Sequence, residues 1–82
     1  MAAERYGEGR LIGSVEKNPK EHFYVRLVDY RGFKLIDLRR FFKADDGVFR
    51  PTSDGIAMRQ DRIGELRRLL EEAERVAAED DA

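Results

Sequence analysis

The stretch HFYVRLVDYRGFKLIDLRRFF, His22–Phe42, decides the fold. It is dense in aromatic and β-branched residues, which suit a pleated, half-buried surface. Side chains on a strand alternate between faces. Phe23, Val25, Leu27 and Asp29 therefore share one face, and Tyr24, Arg26, Val28 and Tyr30 the other. Arg31-Gly32 interrupts the run with a residue pair suited to a tight hairpin. The alternation then resumes, with Lys34, Ile36, Leu38 and Arg40 on one side and Phe33, Leu35, Asp37, Arg39 and Phe41 on the other. This spacing predicts strands over His22–Tyr30 and Phe33–Phe42. The second would extend about 33 Å, long for a small sheet, so a strong bend is expected, with a bulge near Arg39-Arg40.

Upstream, Leu11–Lys17 reads as a first strand and Asn18-Pro19 as a loop. Downstream, Asp45-Asp46-Gly47 reads as a turn and Val48–Arg50 as a short returning strand. Pro51 predicts a break, Ser53-Asp54-Gly55 a further turn, and Ile56–Met58 the end of the sheet. From Asp61 the apolar period becomes helical: Ile63, Leu66, Leu69, Leu70, Ala73, Val76 and Ala77 recur at spacings of three and four. The opposite helix face is charged, with Arg68–Glu72 and Arg75–Glu79 placed to pair. The expected fold is α+β: a four-stranded curved antiparallel meander followed by one C-terminal amphipathic helix. The domain is expected over residues 10–78, between a mobile tail at 1–9 and an acidic tail at 79–82. One helix cannot cover a long curved sheet and also hide its own apolar stripe. That stripe, Ile63 to Ala77, is the expected homodimer interface.

The chain has 82 residues, room for one domain with a thin core. No cysteine is present, which excludes disulfides and cysteine-based zinc sites. No apolar run is long enough to span a membrane, and Met1–Arg10 lacks the apolar core of a secretory leader. A cytoplasmic location is expected, on the nucleoid if the source is bacterial. Net charge is −1, but it is unevenly spread. Lys20–Arg50 holds eight basic and five acidic residues, while acid gathers from Glu71 to Asp81. Catalysis is not expected. One histidine, His22, and no cysteine cannot build a nucleophilic triad, and His22 reads as an ordinary edge histidine. Asp45 and Asp46 read as turn residues rather than a carboxylate pair. No glycine-rich phosphate loop occurs, and no cofactor or metal is expected.

What remains is a set of cations interleaved with aromatics: Arg26 and Tyr30, Arg31 and Lys34 about the hairpin, Arg39 and Phe42 farther along. Single-strand binders need this mixture, because every base has a π-face to stack and every nucleotide a phosphate to neutralise. A half-exposed sheet with ordinary surface charges would give a similar pattern.

The order of several short pieces goes further. V-D-Y-R-G (Val28–Gly32), L-I-D-L-R (Leu35–Arg39), Phe41-Phe42, D-D-G (Asp45–Gly47), R-P-T (Arg50–Thr52) and G-I (Gly55–Ile56) together resemble the transcriptional coactivator positive cofactor 4 family. V-E-K-N (Val15–Asn18) is similar to its bacterial branch, and the likeness spans roughly Leu11 to Val76. The resemblance implies a homodimer joined through its helices that binds single-stranded or unwound DNA along curved ridges. It implies base stacking for Tyr30 and Phe42, and phosphate contacts for Arg31, Lys34, Arg39 and Arg50. Two departures stand out: Ser53 and Asp54 occupy positions that are usually basic in the family, which should weaken DNA binding. The long regulatory arm of the eukaryotic coactivators is missing, so eukaryotic coactivation is not expected. The expected partners are single-stranded DNA, with RNA left open, a second copy of the chain, and transcription or repair machinery. The alternative is a protein-interaction module of the same fold with weak or lost DNA binding. The acidic tail reads either as a solubilising end or as an anion mimic competing for the basic ridge.

Overall fold

The two central strands pair as their alternation predicts. In the computed structural model, which describes residues 9–80, β2 (Glu21–Tyr30) and β3 (Phe33–Lys43) run antiparallel without interruption. β1 (Gly9–Asn18) flanks β2, and β4 (Phe49–Arg59) flanks β3, giving a sheet of order β1-β2-β3-β4. Helix α1 follows over Ile63–Asp80. The fold is therefore the α+β meander and helix expected. Of the two tails, residues 1–8 and 81–82 lie outside the described residues. Gly9 belongs to β1, and Glu79 and Asp80 to α1. No helix among the described residues is long and apolar enough to cross a membrane.

The hairpin between β2 and β3 is as short as one can be. Tyr30 pairs with Phe33 across Arg31-Gly32, whose φ angles are 51° and 83°. Two successive positive φ values match the twist of the flanking strands. Gly32 takes this conformation without cost, whereas the Cβ of Arg31 is crowded there.

β4 corrects the sequence reading. Pro51 does not break it, and Ser53-Asp54-Gly55 is not a turn; one strand runs from Phe49 to Arg59. β4 is an edge strand, where a proline without an N–H can sit on the open side. The suspected turn is a wide bulge: Arg39 pairs with Gly55 and Phe41 with Pro51, so three residues, Thr52 to Asp54, face one, Arg40. The bend expected near Arg39-Arg40 is thus present, with its extra residues on β4. Thr52 holds the bulge, its hydroxyl donating to the Arg40 carbonyl at 2.7 Å and accepting from the Asp54 N–H at 3.1 Å. The bulge adds two residues, an even number, so Phe49, Pro51, Gly55, Ala57 and Arg59 all keep to the face of Asp37 and Arg39.

Burial is concentrated on that face. Among the described residues the buried side chains are Arg26, Val28, Asp37, Arg39 and Phe41, all pointing the same way. No layer covers them, so the sheet's own curl encloses this concave face. At its centre the Asp37 carboxylate, 1% exposed, lies between two arginines. Arg26 donates to Oδ2 through Nη2 at 2.9 Å, and Arg39 donates to Oδ1 through Nη2 at 2.9 Å. Arg39 also donates through Nη1 to the Thr52 carbonyl at 3.0 Å, tying β3 to the bulge. The Arg26 guanidinium lies 5.5 Å from the centroid of the Phe41 ring. A Cβ at Gly55 would meet the Leu38 carbonyl at 2.7 Å and Arg39 Cα at 2.9 Å, so only glycine lets β4 approach this closely.

The convex face is apolar and uncovered, with Phe23, Val25, Ile36 and Leu38 half-buried and Leu27 and Ile56 exposed. Helix α1 does not close over it. The strand pairs carry the tertiary packing, and no helical residue is buried. The helix also keeps its stripe open: Leu69, Leu70 and Val76 are exposed. Its charged face forms the ion pairs of Arg75 with Glu72 and with Glu79, the latter at 2.6 Å. The radius of gyration is 14.6 Å, against about 12 Å for a compact domain of this length.

Replacing Asp37 by alanine would leave two buried guanidinium groups facing each other. Removing one member of a buried ion cluster costs about 3–5 kcal/mol. Urea unfolding at fixed protein concentration should show a loss of that size for Asp37→Ala; a change below about 1 kcal/mol would mean that water already solvates the cluster.

Candidate nucleic-acid interface

Two ends of the sheet present aromatic rings beside cations. The first is the β2–β3 hairpin. Tyr30 is 40% exposed, and the Arg31 guanidinium lies 5.2 Å from the centroid of its ring. The Arg31 φ of 51° belongs to the two-residue hairpin turn itself. Lys34 sits just beyond, exposed, opposite Asp29 on the other face of the sheet.

The second end carries Phe42, also 40% exposed, opposite Arg50 across the β3–β4 pair. Arg50 is exposed and bonded to Asp46 in the turn at 2.5 Å. The Asp46 carboxyl is held below its ordinary pKa, first by the Val48 N–H and then by Arg50. Tyr30 and Phe42 lie on opposite faces of the sheet and about 30 Å apart along the strands. A ligand that reaches both must be a polymer.

The expected cations divide into two groups. Arg31, Lys34 and Arg50 are on the surface. Arg26 and Arg39 are not: they are 8% and 3% exposed and committed to Asp37. Sequence alternation placed Arg26, Asp37 and Arg39 on faces of separate strands, but only the register brings them together, Arg26 opposite Asp37. Their part is to hold the concave face in shape and to leave one net positive charge beneath it.

Arg40 is likewise engaged, on the convex side. It donates to Glu21 at 2.9 Å and to Asp54 at 2.7 Å. The Asp54 hydrogen bond is the chief reason its pKa rises above the ordinary arginine value. Glu21 is pulled below the ordinary carboxylate value, chiefly by the Asn18 amide, with Lys17 and Arg40 adding to it. Asp54 therefore adds a negative charge here and also occupies a neighbouring arginine.

Tyr24, Phe49 and Phe33 were not singled out from sequence, and His22 was read only as an edge histidine although β2 is a central strand. Tyr24 stacks on Phe41 with centroids 4.0 Å apart, and His22 tilts against Phe49 at 4.5 Å. His22 Nε2 lies 3.7 Å from Glu16. This cluster closes one end of the concave face. At the other end Phe33 is 54% exposed, with the Arg59 guanidinium 5.5 Å from its centroid. Alternation put Phe33 on one face with Leu35 and Phe41, and Arg59 meets it because β4 runs longer than the sequence suggested.

Comparison with known proteins places this geometry. Residues 17–69 match the family model described as Transcriptional Coactivator p15 (PC4). Among solved structures, a PC4 homologue from Burkholderia pseudomallei in an orthorhombic crystal form superposes with a TM-score of 0.81 at 30% identity, covering 85% of this chain and 95% of its own. A tetragonal form of the same protein gives 0.77 at 28% identity, covering 82% and 98%. A bacteriophage T5 homologue of the eukaryotic coactivator PC4, implicated in recombination-dependent DNA replication, shares the fold, with a TM-score of 0.57 at 16% identity over 92% and 98%. A search of curated proteins finds no match. With more than half its length fitted by the family model and a bacterial homologue matched along nearly all of the shared domain, the chain belongs to the PC4 family of transcriptional coactivators.

Proposed function

We propose that this chain is a homodimeric single-stranded DNA-binding protein with weak sequence preference, acting on melted DNA in transcription, replication or repair. The observation that carries this reading is the hairpin end: an exposed tyrosine with an arginine laid against its ring, neither contributing to a core. Exposed rings offer stacking surfaces that a duplex cannot use, since its bases are already stacked on one another. The phage homologue's link to recombination-dependent DNA replication, a process that exposes single strands, agrees with it.

Dimerisation rests on a shortage of core. Val28 and Phe41 are the buried apolar side chains among the described residues. Each such burial stabilises by about 1.5–3 kcal/mol, far less than the ordering of so many residues costs. The open helix stripe and the open convex face are the surfaces a second copy would cover. Leu70→Glu should therefore lower the mass seen in sedimentation to that of one chain. A dimer that survives this change would move the interface off the helix.

DNA binding should be weakened by salt. With about three to four phosphates neutralised per subunit, log K should fall against log[salt] with a slope of about −2 to −3. Fluorescence anisotropy of a labelled ~20-nucleotide single strand at two salt concentrations reads this; an affinity indifferent to salt would rule out phosphate capture. The double variant Tyr30→Ala/Phe42→Ala should keep its secondary structure and lose at least about thirtyfold in affinity, from about 1–3 kcal/mol per stacked base. Unchanged affinity would remove both rings from the site.

A protein-interaction module of the same fold is the second reading, and Asp54 favours it by holding Arg40. Under the DNA-binding reading, Asp54→Lys adds a cation and removes that restraint, so it should tighten single-strand binding severalfold. A wild-type chain that ignores single strands at low salt would leave the module as the better account.

A further inference from the structure

We propose that Phe33 and Arg59 form an additional nucleotide subsite, Phe33 stacking a base and Arg59 meeting its phosphate. It extends the track that begins at Tyr30, and it rests on the single-strand reading above. Phe33 pairs with Tyr30 across the two-residue turn, so both rings project from the same face at the hairpin end. At 54% exposure, Phe33 is more open than Tyr30, and nothing among the described residues covers it. A large apolar ring left in water at the tip of a sheet serves no packing purpose there.

Its surroundings are those of a nucleotide site. Gly32, Phe33, Lys34, Arg59, Gln60 and Asp61 line an open cleft of about 390 Å³, within the range that holds small ligands. The Arg59 guanidinium is attracted to the ring, its centre 5.5 Å from the centroid. Arg59 also lies 3.6 Å from Asp61, with both side chains more than 60% exposed. So exposed a pair holds weakly and yields to a phosphate that brings its own charge. Lys34 also lines the cleft, with its side chain starting from the opposite face of the sheet. Gln60 offers a donor and an acceptor to a base edge, and Gly32 leaves the approach free of side-chain bulk. Base stacking on a ring flanked by arginine is how single strands are held without reading their sequence.

The chain has no tryptophan, which makes a clean test available. Phe33→Trp places one indole at the proposed platform, Phe33→Leu removes the ring, and Arg59→Gln removes the charge. With a ~20-nucleotide oligothymidylate, Phe33→Leu should weaken binding about tenfold. Phe33→Trp keeps a ring at the platform, and its indole emission should be quenched as DNA saturates it. Arg59→Gln should make the salt slope shallower by about one. Phe33→Leu binding within twofold of wild type, an indole that ignores saturating DNA, or an unchanged salt slope for Arg59→Gln overturns the subsite. If Tyr30→Ala weakens binding while Phe33→Leu does not, the subsite alone falls. If wild type does not bind at all, the single-strand reading falls with it.

Discussion

The structure turns on one buried carboxylate. Asp37 sits between Arg26 and Arg39 on the concave face, and through Arg39 the cluster reaches the Thr52 carbonyl. Three strands are therefore joined by side chains as well as by backbone hydrogen bonds. Such a cluster contributes little net stability, since removing charges from water costs about as much as their attraction returns. What it supplies here is register. If β2 slipped by one residue against β3, Arg26 would leave Asp37 and turn to the apolar face. No buried side-chain polar atom among the described residues lacks a partner, so the arrangement is complete as it stands.

The same cluster decides which charges are left for a ligand. The middle of the chain looks basic in sequence, yet much of that charge is already spoken for. Arg26 and Arg39 serve Asp37, Arg40 serves Glu21 and Asp54, and Arg50 is bonded to Asp46. Lys20, Arg31, Lys34 and Lys43 form no ion pair with another described residue, and Arg59 is held only loosely by Asp61. Arg31, Lys34 and Arg59 stand at the hairpin end beside Tyr30 and Phe33, and Lys20 and Lys43 stand together at the opposite end, where the Lys43 N–H donates to the Lys20 carbonyl. The hairpin end thus holds three of these five cations and two exposed rings, Tyr30 and Phe33.

The sequence disclosed the fold well wherever local pattern and long-range pairing agree. Alternation and Arg31-Gly32 are enough for β2 and β3, and the three-and-four spacing from Ile63 is enough for α1. β4 was hidden because Pro51 and Ser53-Asp54-Gly55 carry strong turn chemistry. An edge position and a bulge tolerate that chemistry inside a strand, and neither is visible without the neighbouring strand. The surface positions of the candidate site were legible in part. Tyr30, Arg31, Lys34, Phe42 and Arg50 are exposed, as expected of them. Arg26 and Arg39 looked like surface cations because the spacing of a single strand cannot reveal a partner on the next one. Phe33 was not singled out, since it shares a face with the buried Asp37, Arg39 and Phe41 while the sheet ends before anything covers it.

The even length of the β4 bulge has an evolutionary corollary. Thr52 to Asp54 oppose Arg40 alone, so the segment carries two surplus residues and the strand beyond keeps its orientation. Gain or loss of a single codon here would turn Gly55, Ala57 and Arg59 outward and present Ile56 and Met58 to the buried arginines. Relatives that share this sheet should therefore vary in length at this point by pairs of residues, or compensate with a second change nearby.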